Sequence, residues 1–267
     1  MADTIAGARS LLFVPGDRPE RFAKAEAAGA DGIVLDLEDA VAAGKKDAAR
    51  SHVAAWLTSG GSGIVRINAV DTPWFADDVS AIGGGEGRTV MLPKASVHAV
   101  SAVVAALGDQ TRVVALVETA AGVLDAASIC RAPNVIRAAF GSIDLSTELG
   151  IDPDDRDALR YARSALVLAS AAAGIAPPLD GVTTDVSSAE PTRADALHAA
   201  RLGFGGKLGI HPVQIDAVNA AFEPRPEDIA WAHEVLAADG SGAAKIGGHM
   251  IDAPVLERAR RIIARAT

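Results

Sequence analysis

The chain has 267 residues, of which 49% are hydrophobic and 22% charged, and its net charge is −9. That length suits one large domain or two small ones, and with aromatics at only 4% the core must be built from Ala, Val, Leu and Ile. The acidic balance argues against a nucleic-acid partner, which wants a basic face, and the lone Cys130 excludes an intramolecular disulfide and fits a reducing cytosol.

The first residues, MADTIAGARS, lack the charged-then-apolar pattern of a signal peptide, and no apolar run approaches the length of a membrane span. A soluble, cytoplasmic protein without membrane partners is expected. The first predicted strand is SLLFVP (10–15), followed by a helix near 18–28. Asp17 and Glu20 resemble a capping box at its start, and Gly29 suits its end. Strands GIVLDLE (32–38), GIVRIN (63–68), TVMLPK (89–94) and RVVALVE (112–118) alternate with helices near 44–57, 73–82, 96–106 and 119–130. Strands VIRAAFG (135–141), IAPPLD (175–180) and GGKLGIHP (205–212) follow, with helices near 154–173, 191–202 and 212–222. Near-continuous apolar strands separated by amphipathic helices imply a parallel sheet covered on both faces. Eight such units predict an α/β fold, a (β/α)8 TIM barrel over residues 1–225; a doubly wound open sheet is the alternative. Residues 226–267 form a C-terminal helical extension, with helices near 226–238 and 254–265, that packs on the barrel or on a neighbouring subunit.

In such barrels the chemistry sits at the C-terminal ends of the strands. The strand ends here deliver Asp17, the trio Asp36, Glu38 and Asp39, then Arg66 and Asn68, Lys94, Glu118, Ser142 and Asp144, Asp180 and His211. Scattered solvated loops explain one or two of these groups, not the set. Glu118 and Asp144 come from neighbouring strands and would repel unless a cation lies between them. No zinc-type Cys/His spacing occurs, so a hard, oxygen-ligated ion such as Mg2+ fits; a salt bridge from Glu118 to Arg66 or Lys94 is the purely structural reading. Arg66, late in an apolar strand, needs an anion, either the protein's own carboxylates or a substrate carboxylate. Lys94 raises a rival Schiff-base chemistry, which acidic neighbours disfavour. Arg18, Arg21 and Lys24 lie three apart and form a solvated helix face or a grip on ligand phosphates. His211, before Pro212, equally suits a turn. The trio at 36–39 reads at first as the metal ligands.

RSLLFVPGDRPERFAKA, IVLDLEDAV, VRIN, MLPKA, LVETAAG, FGSIDL, LDGV, GFGGKLGIHPVQI and MIDAPV, in that order, closely resemble the CitE-like acyl-CoA lyases of the HpcH/HpaI aldolase/citrate lyase family, which include citrate lyase β subunits and malyl-CoA lyases. The resemblance spans essentially the whole chain. It implies a Mg2+-dependent carbon–carbon lyase that cleaves a 3-hydroxyacyl-CoA thioester to acetyl-CoA and a 2-oxo acid, or condenses them. By motif, Glu118 and Asp144 resemble the metal ligands. Arg66 resembles the binder of substrate carboxylate and carbonyl oxygens, and Phe13, Val14, Arg18, Lys24, Ile210 and His211 resemble the lining of the CoA thioester site. Asp252 resembles an acid/base residue reaching into a neighbour's site, which implies a homotrimer. Asp36, Glu38, Asp39 and Lys94 are then left to hold metal-bound waters and to orient Arg66. One departure is informative: citrate lyase β subunits usually read Glu-Asp where this chain has Ile143-Asp144. Alternatives are a β-type subunit working on an acyl carrier protein, or a malate-synthase-like enzyme that also hydrolyses the thioester.

Overall fold

All eight predicted strands form, and most of their residues are buried, the exposed Pro177 near the start of the seventh being an exception. The strands are β1 Ser10–Pro15, β2 Gly32–Asp36, β3 Ile64–Arg66, β4 Thr89–Leu92, β5 Arg112–Val117, β6 Val135–Phe140, β7 Ala176–Asp180 and β8 Gly206–Gly209. They pair in chain order, all parallel, and β8 returns to β1 through Leu12↔Gly209, closing the barrel. The structure is a computed structural model that describes residues 2–83, 87–238, 245–246 and 249–266. It divides into two compact units, Met1–Ala221 and Phe222–Thr267.

Alternation along each strand sorts side chains into two layers. Leu11, Val34, Ile64, Met91, Val114, Leu116, Ala139, Leu179 and Leu208 fill the barrel interior. Leu12, Leu35, Val65, Val90, Leu92 and Ala115 face outward and pack with residues of the surrounding helices. These are α1 Ala2–Gly7, α2 Phe22–Glu26, α3 Lys46–Thr58, α4 Phe75–Ile82, α5 Val97–Leu107, α6 Ala120–Leu124, α7 Ala126–Arg131, α8 Ser142–Leu149, α9 Arg160–Ala173, α10 Glu190–Leu202 and α11 Ile215–Phe222.

The unpredicted α1 closes the N-terminal end of the barrel. Ile5 and Ala8 join the interior cluster. The buried Arg137 donates to the carbonyls of Ile5 (2.8 Å), Ala8 (2.7 Å) and Pro177 (2.7 Å), so one cation ties α1 to β6 and β7.

Several helix boundaries differ from expectation for local reasons. The first helix is a 3-10 turn, Pro19–Arg21, followed by the short α2. The Asp17–Glu20 capping box does not form; Asp17 instead faces Lys45 at 3.2 Å. Gly29 does adopt φ +80, two residues past the cap Ala27. Residues 154–159 are turns held by Asp side chains, with Asp152 Oδ1 accepting from Asp154 N and Asp155 Oδ1 from Asp157 N, both at 2.9 Å. The helix expected over 119–130 breaks into α6 and α7 at Asp125.

In the second unit, α12 Pro226–Ala237 and α13 Ala253–Ala266 pack around Ala232, Val235 and Ala259. A two-residue antiparallel pairing of Lys245–Ile246 with His249–Met250 precedes α13. Among the described residues no helix is long and apolar enough to cross a membrane.

Candidate active site

Strand register decides which charges meet. Asp36 and Arg66 are direct partners in the β2–β3 ladder, and alternation turns both inward, continuing the rows of Val34 and Ile64. Their side chains pair bidentately: Arg66 Nε donates to Asp36 Oδ1 at 2.7 Å and Nη2 to Oδ2 at 2.6 Å. Asp36 is fully buried and also accepts from the amides of Glu38 (2.9 Å) and Ala40 (3.1 Å). The carboxylate therefore fixes both the guanidinium plane and the turn after β2. The Phe13 ring lies 4.7 Å from the guanidinium carbon. Burial disfavours the Arg66 charge, but the hydrogen bond and charge of Asp36, with Glu38 and Asp39, outweigh it and hold Arg66 firmly protonated. The anion Arg66 needs is thus supplied first by the protein itself.

Two residues on, the same parity turns Glu38 inward. Its Oε2 is 2.8 Å from Arg66 Nη1, yet the angle is too poor for a hydrogen bond, and that buried oxygen has no hydrogen-bond partner. Burial raises the Glu38 pKa to about 7, opposed by Arg66 and reinforced by Asp39 and Asp36. Asp39 lies at the exposed end of the turn, 4.0 Å from Arg66.

Glu118 follows Val117 at the end of β5 and continues the inward row of Leu116. It is 2% exposed. Burial first, then the charge of Glu38 and of Asp144, raise its pKa to about 8, against an amide bond from Lys94 and the pull of Arg66. That amide, 2.8 Å from Glu118 Oε1, is aimed by an unusual backbone: Lys94 has φ 46, uncommon for any residue but glycine. The Lys94 ammonium stands 3.9 Å from Glu38 Oε1. Asp144 is on neither strand nor loop but in the first turn of α8, where a helix N-terminus favours a carboxylate. Its pKa is nonetheless raised, by burial and then by Asp39, with Lys94 and Arg66 opposing. Gly141 lets α8 approach: a Cβ there would overlap the Glu118 side chain, 2.6 Å from Oε2.

Other predicted residues are placed differently. Phe13 lines the interior beneath Arg66. Val14 points outward into the strand–helix layer, leaving only its backbone to the mouth. Ile210 and His211 follow β8, next to β1, and are exposed. His211 Nδ1 accepts from Val213 N at 3.2 Å, so it caps a 3-10 turn. Arg18 and Lys24 are exposed. Asp252, in the second unit, is exposed and its Oδ1 accepts from Val255 N at 3.1 Å, capping α13. Asp180 pairs with Arg163 (2.9 Å) and Lys207 (3.5 Å).

Sequence reasoning missed three buried groups near the strand ends, Lys46 and Asp78 below the acidic turn and Gln214 after β8. The Lys46 ammonium contacts the carbonyls of Leu37 and Glu38, and Gln214 ties the segment after β8 to Thr183 O at 2.8 Å. A signal for Lys46 did exist: residues 46, 49, 50 and 53 form one helical face, and all four are buried.

The donor set suits a hard cation. Among the described residues no three His, Cys, Asp or Glu side chains gather into an all-protein metal cage. Mg2+ needs only one or two carboxylates, the rest being water and substrate oxygens. With Asp36 matched to Arg66, Glu38, Asp39, Glu118 and Asp144 share the Lys94 ammonium and the remaining donors of Arg66; the raised pKa values of Glu118 and Asp144 follow first from burial and then from neighbouring carboxylates, and a bound cation would offset both.

Comparison with known proteins shows the family of the chain. The model of the HpcH/HpaI aldolase/citrate lyase family matches residues 9–212. A citrate lyase subunit beta-like protein of Mycobacterium tuberculosis is 43% identical over 263 residues, covering 96% of this chain and 94% of that protein. A (3S)-malyl-CoA thioesterase of Cereibacter sphaeroides is 35% identical, covering 97% of this chain and 94% of its own length. The solved structure of CitE from M. tuberculosis, in complex with magnesium, acetoacetate and coenzyme A, superposes with a TM-score of 0.85 at 40% identity, covering 98% of this chain and 99% of that one.

Proposed function

This chain belongs to the HpcH/HpaI aldolase/citrate lyase family and is a carbon–carbon lyase of the citrate lyase β-like kind, and on that premise we propose that it cleaves a 3-hydroxyacyl-CoA thioester of the malyl, citramalyl or citryl type to acetyl-CoA and a 2-oxo acid. The observation that carries this is Arg66, locked by Asp36 beside the buried Glu118 and the half-buried Asp144. Glu118 and Asp144 would hold Mg2+, which when bound supplies Lewis acidity at the acid portion's oxygens. Asp36 takes two of the guanidinium's five donors. Arg66 Nη1, which contacts Glu38 without a hydrogen bond, and the remaining Nη2 hydrogen keep donors that would bind the substrate carboxylate and the oxygen that becomes a carbonyl. In the cleavage the hydroxyl gives up its proton to solvent water, from which Asp252 is reprotonated after each turnover, its oxygen becomes the carbonyl of the 2-oxo acid, and the electron pair of the C–C bond passes to the thioester as an enolate. The enolate carbon then takes a proton from Asp252 of a neighbouring subunit in a homotrimer. Phe13, the Val14 backbone, Arg18, Lys24, Ile210 and His211 would line the CoA portion. A reducing, cytoplasmic location fits the lone buried Cys130.

The test is a panel of CoA thioesters assayed with purified protein, before and after dialysis against EDTA. Cleavage restored by Mg2+ is expected; full activity without any divalent ion would sink the scheme. Release of free CoA without acetyl-CoA would identify a thioesterase instead. Turnover only with an acyl carrier protein would identify a complex subunit. Mixing Asp252→Ala with Glu118→Ala protein should restore part of the activity each lacks; no rescue would count against a site shared between subunits.

A further inference from the structure

Lys46 is 5% exposed, and among the described residues no ion pair includes it. A Leu or Met would fill the same space without the cost of burying charge. Its ammonium has three donor hydrogens and three oxygen partners: Leu37 O at 2.7 Å, Glu38 O at 2.8 Å and Asn68 Oδ1 at 2.8 Å. The face of Trp74 lies 4.9 Å away. Asn68 is itself fixed, donating through Nδ2 to Leu37 O (2.9 Å) and Asp78 Oδ2 (2.6 Å), while Asp78 pairs with Arg50 at 3.2 Å.

The two carbonyls that Lys46 holds belong to the peptide units on either side of the Glu38 α-carbon. Each peptide is planar, so holding both sets φ and ψ of Glu38 and hence the direction of its side chain. The Glu38 amide, on the near side, is held by Asp36 Oδ1. We infer that Lys46 is a positioning residue for the lyase site: it anchors the turn after β2 from below and aims Glu38 at Arg66. This rests on the function proposed above, with Glu38 as the group through which Lys46 acts.

Lys46→Met keeps the side chain's length and removes its donors. Hydrogen exchange of peptides spanning 37–41 should quicken about tenfold, with β5 and β6 unaffected. With saturating Mg2+, kcat should fall about 10- to 100-fold while KM for the CoA thioester stays within about threefold. Added to Glu38→Gln, Lys46→Met should cost no more than about a further twofold, because both act on one group. Val53→Ala, buried on the same helix, serves as a control for simple destabilisation and should retain kcat. If Lys46→Met does not fold, Asn68→Ser, which removes one end of the same anchor, takes its place in each measurement. Unchanged exchange at 37–41, or a kcat loss that multiplies with that of Glu38→Gln, would overturn the inference. If the unaltered protein cleaves no thioester, the lyase reading fails, and the exchange measurement alone decides whether Lys46 anchors the turn.

Discussion

Glu118 sits in an environment that penalises its charge from several sides. Its pKa in the folded chain is about 8 against a reference of 4.5, so between those values the folded, cation-free protein holds a proton the unfolded chain has lost. Stability without a cation therefore falls as pH rises from about 5 to about 8, by on the order of a few kcal/mol. Glu38, at about 7, acts in the same direction. Thermal melting in EDTA across this range should show the decline. Glu118→Gln should remove most of it, and excess Mg2+ should flatten it by favouring the ionised pair. A melting temperature that climbs with pH in EDTA would contradict the assignment. Gly141→Ala should displace Glu118, whose Oε2 a new Cβ would meet at 2.6 Å, and weaken Mg2+ binding about 10- to 100-fold by calorimetric titration while the barrel stays folded. The site's charged groups were legible because strand parity and the barrel rule turn the last residues of each strand toward the mouth. Their pairing was legible only in part: the trio at 36–39 was expected to orient Arg66, but not which member does so. The β2–β3 register sets Asp36 against Arg66, and register is a property of two strands that neither shows alone. Lys45 and Lys46 are adjacent and alike in sequence, yet one is exposed and the other buried.

At the scale of elements, strands were easier to read than helix ends. A parallel strand covered on both faces is an uninterrupted apolar run, whereas a helix boundary depends on which side chain caps it. α8 was missed because SIDLSTEL carries only scattered apolar residues; it forms after Gly141, whose lack of a side chain admits it beside Glu118. α1 was missed because its six residues are short for a helix in isolation. Its tether to the barrel, Arg137, gives it a measurable role. Arg137→Met leaves the carbonyls of Ile5, Ala8 and Pro177 without that donor, and should destabilise the fold by about 2–4 kcal/mol in urea titration. Because these bonds lie at the N-terminal end of the strands, kcat of the folded fraction should stay within about twofold. A large kcat loss at unchanged stability would show that the two ends are coupled.

At the scale of the whole molecule, the barrel unit has unlike ends. One is stopped by Ile5 and Ala8 over a filled interior; the other carries Arg66, Glu118 and Asp144 on inward-facing strand ends and the following helix turn. A site above a packed core, open only at the mouth, imposes a queue. Whatever binds at Arg66 enters first and departs last, and a long thioester lying across the mouth must clear it before the smaller fragment can follow. For a cleavage that leaves two products, that order has a kinetic signature: the 2-oxo acid should inhibit competitively against the thioester, and acetyl-CoA should give mixed inhibition. Initial-rate measurements with each product added distinguish this from the reverse order. The packed interior, with Ile5 and Ala8 at its base, would then set the direction of traffic for a reaction whose atoms it never touches.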